Sequence, residues 1–539
     1  MNNPTSSPGS PRFPTFSRFF RWFFSRRTLG SLLVGLAALA TLITLVCTEE
    51  NWRGKRAWQK YARQLEAQGE KLDWKDYVAP PVPDEQNFAM TPFLAPLYDW
   101  NPPPFLPDQS RWRDTNGFNR INTFQREIGT LEDSVPERSP YRLLHQMTDL
   151  QTWALTLTGK TNKGAAAAGP ALTRAEAAAI VLRGLEKFDP IVDELRKASQ
   201  RPYARFNIHY DADIATAILL PHLACLRAAT VLFQVRGSAE VALGRTDQAW
   251  ADTRMALYLA DTLKDEPFLI SKLLQVSLVQ RSLRPIWEGL AERRWSDAQL
   301  VEIEQRLGKI NLLADAAMRG ERAMDILTAN QMRDQERLDP EDSSNRIPGL
   351  GSLFLGGFFY QNKLFMTRMF QQYFVPVVDA ASQRVYPSRA VTNDAAMAAE
   401  IAGGLRPYHL FARLLMPGIA DPEMKFAFAQ TRVNQAIVGC ALERYRLAQG
   451  QFPESLEPLS PRFVEKLPHD IITGAPLIFR RAPDSQFVLY SVGWDEKDDG
   501  GTVGWAGYKG RNSDLIPVND WVWQYPAPAA APVQNAPRE

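Results

Sequence analysis

TLGSLLVGLAALATLITLVCT, residues 28–48, contains no charged side chain. A helix rises about 1.5 Å per residue, so a run of about 20 apolar residues matches the hydrocarbon core of a bilayer. The flanks orient it. Arg12, Arg18, Arg21, Arg26 and Arg27 precede the run without an acid, whereas Glu49 and Glu50 follow it before Arg53, Lys55 and Arg56. The positive-inside rule then places the N-terminus in the cytoplasm and the remaining chain on the other side. Phe19, Phe20, Trp22, Phe23 and Phe24 would sit at the inner interface. The run ends Leu45-Val46-Cys47-Thr48 without the small residues a signal peptidase needs. Val46 suits lipidation at Cys47 poorly, and Gly30 interrupts what should follow the Arg26-Arg27 pair, so an uncleaved anchor is expected.

Outside the anchor, 539 residues suffice for more than one domain. Against 60 Asp and Glu stand 62 Lys and Arg, a formal charge of +2, which argues against a nucleic-acid partner. Cys47, Cys225 and Cys440 lack CxxC spacing, so neither a zinc site nor a disulfide framework is indicated; a Cys225–Cys440 bridge stays open. The expected organisation is a basic tail (1–27), the anchor (28–48), a stalk and Pro-rich linker (49–139), a helical domain (140–420), an α+β module (421–512) and a tail (513–539), disordered from about 526. The fold class is mainly α, ending in a long helix with an antiparallel hairpin.

Local patterns fill in that outline. Trp58, Tyr61, Leu65 and Gly69 share one face of a polar helix that ends before APPVPDEQ (79–86), and the Pro-rich, aromatic residues 88–140 are expected to be irregular. Thr173 with Glu176 forms a capping box, Pro221 opens a helix, and Ser296-Asp297 opens another. The segment 347–374, IPGLGSLFLGGFFYQNKLFMTRMFQQYF, is too short in its charge-free part to span a bilayer. A buried helix is expected there, with association at a membrane surface as the alternative. Val433, Ile437, Ala441, Tyr445 and Ala448 form the apolar stripe of a helix over 424–449 that Gly450 caps and Pro453 stops. PLIFR and QFVLYSVG then alternate as two strands joined by Ala482-Pro483-Asp484-Ser485.

Three resemblances add to this. Gly237, Gly244, Ala249 and Ala256 stand at the spacings of one tetratricopeptide unit, which implies a pair of antiparallel helices; Arg236 and Glu240 occupy positions that family fills with large apolar residues, and no second copy follows. ALERYRLAQGQFPESLEPLSPRFVEKLPHDIITGAPLIFR, followed by FVLYSVGWDEKDDGG, is similar to the globular part of the major pseudopilin of type II secretion systems. That likeness implies a helix leading into a small sheet, and a calcium-binding acidic loop with Asp495, Asp498 and Asp499 as ligands. A pseudopilin carries its apolar helix directly before this domain, whereas here the apolar segment lies far upstream. The whole arrangement also resembles membrane-anchored proteins of Verrucomicrobia and Planctomycetes, which implies no activity.

Catalytic motifs are sparse. Thr158-Gly159-Lys160-Thr161 ends like a phosphate loop but has Ala154 where the first Gly belongs, and no HExxH, GxSxG or cysteine nucleophile pattern occurs. Asp339 and Glu341 read as a solvated loop. The remaining candidate is a metal set of His209, Asp211, Asp213 and His222. Two functions follow as expectations. The first is a non-enzymatic inner-membrane protein with a periplasmic body that binds other envelope proteins, in assembly or secretion. The alternative is an extracytoplasmic metal-assisted hydrolase built on that His/Asp set.

Overall fold

The apolar run and the polar stretch after it form one unbroken helix, α1 (Arg26–Ala67). In the computed structural model the described residues are 26–101, 112–135, 146–159, 172–210, 218–316, 318–338, 350–403, 407–416, 418, 420–482, 486–508, 511–517 and 519–525. The basic tail before Arg26, PPPFLP, Lys160 and Thr161, Asp339 and Glu341, and the Pro/Ala-rich end after 525 lie outside them. α1 is long and apolar enough to cross a membrane, and its apolar window is not buried against the protein. Leu33, Val34 and Leu45 are exposed, whereas Leu65 near the other end of the same helix is 2% exposed. Gly69, at φ +85°, turns the chain away, a conformation that L side chains resist.

The chain is mainly helical. After short turns come α2 (Thr115–Asp133), α3 (Leu150–Leu157), α4 (Arg174–Leu185), α5 (Asp189–Ala198), α6 (His222–Ala242), α7 (Thr246–Asp261), α8 (Leu269–Ala291), α9 (Asp297–Leu307) and α10 (Leu313–Ala316). They are followed by α11 (Arg319–Leu338), α12 (Leu350–Met369), α13 (Pro387–Ala402), α14 (Leu410–Leu415) and α15 (Ala420–Gln449). The capping box at Thr173 forms, with the Glu176 N–H donating to Thr173, and the helix start at Ser296 proves to be a second one, with the Gln299 N–H donating to Ser296. α2 corrects the reading of 88–140 as irregular: Ile121, Phe124, Ile128 and Leu131 recur every three or four residues and are buried, and Asp114 caps the helix start. The Pro-rich composition around it hid that periodicity.

α6 and α7 pack as a helix pair, with α8 against both. Gly237 makes the approach close, since a Cβ there would lie 3.3 Å from the Pro285 ring of α8. The two residues that depart from the repeat pattern carry charge inside this bundle. Arg236 pairs with Asp189 at 2.8 Å, and Glu240 is buried beside Arg245. α8 is buried on all sides at its C-terminal half, where Glu288, wholly buried, accepts from the Thr148 N–H at 2.6 Å, the Thr148 hydroxyl at 2.7 Å and Arg174 Nη2 at 2.9 Å, and lies 3.4 Å from Arg284 Nε. Cys225 and Cys440 are separate buried thiols.

α15 ends at Gln449 as the Gly450 and Pro453 signals require, and the strands β3 (Ile478–Ala482) and β4 (Gln486–Ser491) pair antiparallel. Upstream, β1 (Val378–Asp379) pairs with β2 (Arg384–Val385), and β5 (Trp505–Tyr508) with β6 (Arg511–Pro517). Two differences from the sequence reading matter. α15 is buried on more than the one stripe: Phe426, Phe428, Val438 and Leu442 are as covered as Val433, while Ala448 is exposed. α8 and α9 both pack against α15. The segment read as a tail is in part core, because β7 (Trp521–Gln524) completes a sheet of order β3-β4-β7 and buries Trp521, Val522 and Trp523 completely. Arg432 on α15 donates to the Val522 carbonyl, and Trp287 on α8 to that of Gln524. One continuous apolar core therefore runs from Phe88 through α15 to Trp523, across the expected boundary at 421.

Candidate functional site

The histidines singled out from sequence lie in different settings. His222, at the start of α6, is fully buried. The Tyr98 hydroxyl meets its Nδ1, and Nε2 lies 2.8 Å from Glu266 Oε1. Ser271 Oγ donates to the other oxygen of Glu266 at 2.5 Å, and Phe206 stacks on the imidazole at 4.2 Å. Both ring nitrogens are thus engaged, leaving none for a metal. Burial pushes the Tyr98 hydroxyl well above its ordinary range, so it holds its proton. His209 packs against Trp100 at 5.0 Å, and Asp211 and Asp213 lie outside the described residues. Among the described residues, no group of three His, Cys, Asp or Glu side chains is gathered to hold a metal ion.

The acidic loop after β4 has its carboxylates turned to separate donors. Asp498 Oδ1 accepts from the Tyr490 hydroxyl at 3.0 Å and the Gly500 N–H at 2.9 Å. Asp499 Oδ2 accepts from Asn519 at 2.9 Å, and Asp495 Oδ1 from the Lys497 N–H at 3.3 Å. Asp520, which the sequence reading passed over, ties the loop to β7 by accepting the N–H groups of Asp499 and Gly501. The three aspartates do not converge as calcium coordination by six or more oxygens requires. In this arrangement they do not fit the ion.

A built site lies instead where α1 enters the body. α1 and α12 run side by side in the same direction: Gly357 faces Glu50 and Asn51, Lys363 faces Trp58, and Arg368 faces Tyr61. The start of α12 therefore lies level with the C-terminal end of the apolar run. Within the segment 347–374 the helix begins at Leu350, and Phe359 and Met366 further along it are buried with Phe411 and Ala329. At the far end of α1, Ala62 and Leu65 pack against Ile326, and the turn that follows is held by Arg322, 1% exposed, which donates to Glu70 at 2.8 Å and to the Lys71 carbonyl at 2.9 Å. Between these contacts opens a cavity of about 330 Å³. Trp58, Glu66, Trp74, Ile326, Asn330 and Lys363 are among its walls. Its one sequence signal is Lys363, a solitary cation among the apolar residues 350–366.

Gly357 fixes the approach of the two helices, because a Cβ there would stand 2.8 Å from the Glu50 backbone. Gly357→Leu is expected to cost about 1–3 kcal/mol by overpacking and to expose residues 49–57 to protease. Denaturant midpoints and a timed digest check this; unchanged digestion would show that the contact does not hold the two helices together. Comparisons with family models, with curated proteins and with solved structures return no match for this chain.

Proposed function

We propose that this chain is a single-pass membrane protein of the bacterial envelope, with its N-terminus in the cytoplasm and its helical body in the periplasm, and that it acts by binding other envelope proteins in assembly or secretion. The observation that carries the reading is α1: the half with exposed leucines and the half clasped by the body are one helix. The arginines before the apolar run and the acids after it support the orientation. A 30-residue helix, an antiparallel strand pair and an acidic turn, in that order, support the likeness to a pseudopilin module. α8 and α9 cover one side of that helix, and side chains of α8 and α15 take β7 carbonyls, so the reading assigns partner contact to the opposite edge of the sheet, at β3. An edge strand offers unpaired backbone groups to an added strand.

Depth labels test the anchor. In full-length protein reconstituted in nanodiscs, a fluorophore at Ala38 should report hydrocarbon and one at Lys60 water; water at both positions would remove the membrane reading. Protease added to spheroplasts should digest the body and spare the N-terminal tail, and the reverse pattern would invert the orientation. For the interaction role, a photo-crosslinker at Arg481 on β3 should capture a reproducible partner in native membranes that the same group at buried Leu489 does not. Repeated failure at Arg481 and neighbouring exposed positions of β3 would count against it.

A further inference from the structure

The Lys363 side chain reaches the cavity from α12 and is almost completely buried, at 4% exposure. Its Nζ donates to Asn330 Oδ1 at 2.8 Å and lies 4.3 Å from the ring centroid of Trp58 and 5.2 Å from that of Tyr360. Among the described residues no carboxylate pairs with it. Asp334, nearby on α11, is held by Arg333 at 2.9 Å and 3.1 Å, and Asp73 on the cavity wall accepts the Lys75 N–H. The charged groups around the amine are therefore Arg333 and Asp334 of α11, Glu66 of α1, and Asp73 and Lys75 of the following turn. Burial, with Arg333 adding to it, pulls the ammonium down to about 7. An ordinary lysine, near about 10.4, is neutral in only about one molecule in 2,500 at pH 7.

A buried cation whose nearest carboxylate, Asp334, is already held by Arg333 is costly, so a lysine kept here calls for a use that an apolar side chain could not serve. The cavity of about 330 Å³ falls within the range of small-molecule sites. Indoles of Trp58 and Trp74, with Leu72, Ile326 and Leu327, offer flat and apolar walls. Desolvated lysines of this kind are activated nucleophiles toward carbonyl carbon.

We propose that the cavity between α1, α11 and α12 binds a small aldehyde or ketone with a flat apolar body, and that Lys363 Nζ condenses with its carbonyl carbon to form an imine. The nitrogen lone pair adds to the carbonyl carbon while an N–H proton passes to the oxygen. The resulting carbinolamine loses its hydroxyl with the second N–H proton as water, leaving the C=N bond. Nothing is oxidised or reduced. Glu66 and Asp73, on the exposed rim of the cavity, are the acid–base groups for the two proton transfers.

The test uses the full chain in detergent micelles, naphthaldehyde as the probe, and cyanoborohydride to reduce any imine to a stable secondary amine, with the adducts mapped by peptide mass. At pH 7 Lys363 should be labelled ahead of exposed Lys55 and Lys60. Asn330→Asp sets a carboxylate beside the amine and holds its proton, so labelling of Lys363 should fall about 10-fold or more while thermal unfolding shows the fold retained. Labelling of Lys55 and Lys60 as fast as Lys363, or equal labelling in the Asn330→Asp chain, would overturn the proposal. The readout needs no membrane, so it stands apart from the anchor.

Discussion

Glu288→Ala lowers the stability of the full chain by about 3–5 kcal/mol, the range for removing one partner of a buried ion pair. The wild-type carboxylate gathers the Thr148 N–H and hydroxyl, Arg174 and Arg284 at the point where α8, α4 and the start of α3 meet. Alanine removes all four contacts at once and takes a carboxylate away from buried Arg284, 3% exposed. Glu288→Gln keeps an oxygen for Thr148 but no charge, so its loss should be smaller. Denaturant midpoints of the three proteins in one detergent order them. A loss under about 1 kcal/mol for the alanine variant would mean that water replaces the carboxylate, and that this cluster does not tie the bundle.

Glu423→Gln changes how stability depends on pH. Near the start of α15, Glu423 is wholly buried, and neither carboxylate oxygen has a hydrogen-bond partner. Burial pushes its pKa well above the ordinary carboxylate value, so the folded chain keeps a proton that the unfolded chain releases near pH 4.3. Above that pH the unfolded state binds fewer protons, and stability falls as pH rises until the folded-state pKa is passed. For this one group the slope reaches about 1.4 kcal/mol per pH unit. Burial raises Asp325 and Glu321 in the same direction and steepens the fall. Glutamine has no proton to lose. Whatever offset its amide brings at acid pH, the variant should gain on the wild type as pH rises from about 5 to about 8. Parallel stability curves over that interval would show that Glu423 does not titrate with folding.

The parts of this fold that were legible are those written in local chemistry. Charge-free length gave the apolar half of α1, Thr173 and Ser296 gave helix starts, and Gly450 with Pro453 gave the end of α15. What the sequence withheld depends on neighbours far along the chain. Nothing local in WVWQ says that it adds to β4, because alternation over four residues cannot be told from a tail. The burial of α15 beyond its one stripe required knowing that α8 and α9 lie over it. The site divided in the same way. His222 was visible as a residue type, but its engagement by Tyr98 and Glu266 is a matter of three distant segments. Lys363 carries no motif, and its setting is set by Trp58, more than 300 positions earlier.

An unbroken helix is also a lever. A bilayer thinner than the apolar run is met by tilting that run. In the anchor reading, the half of α1 beyond the lipid, about 28 Å long at 1.5 Å per residue, packs at Gly357 and, through Ala62 and Leu65, against Ile326, so it has no hinge at which to absorb the tilt. The body must turn with it. On the proposed reading of α1 as an anchor, the height of the β3 edge above the lipid and the direction in which it faces follow membrane thickness.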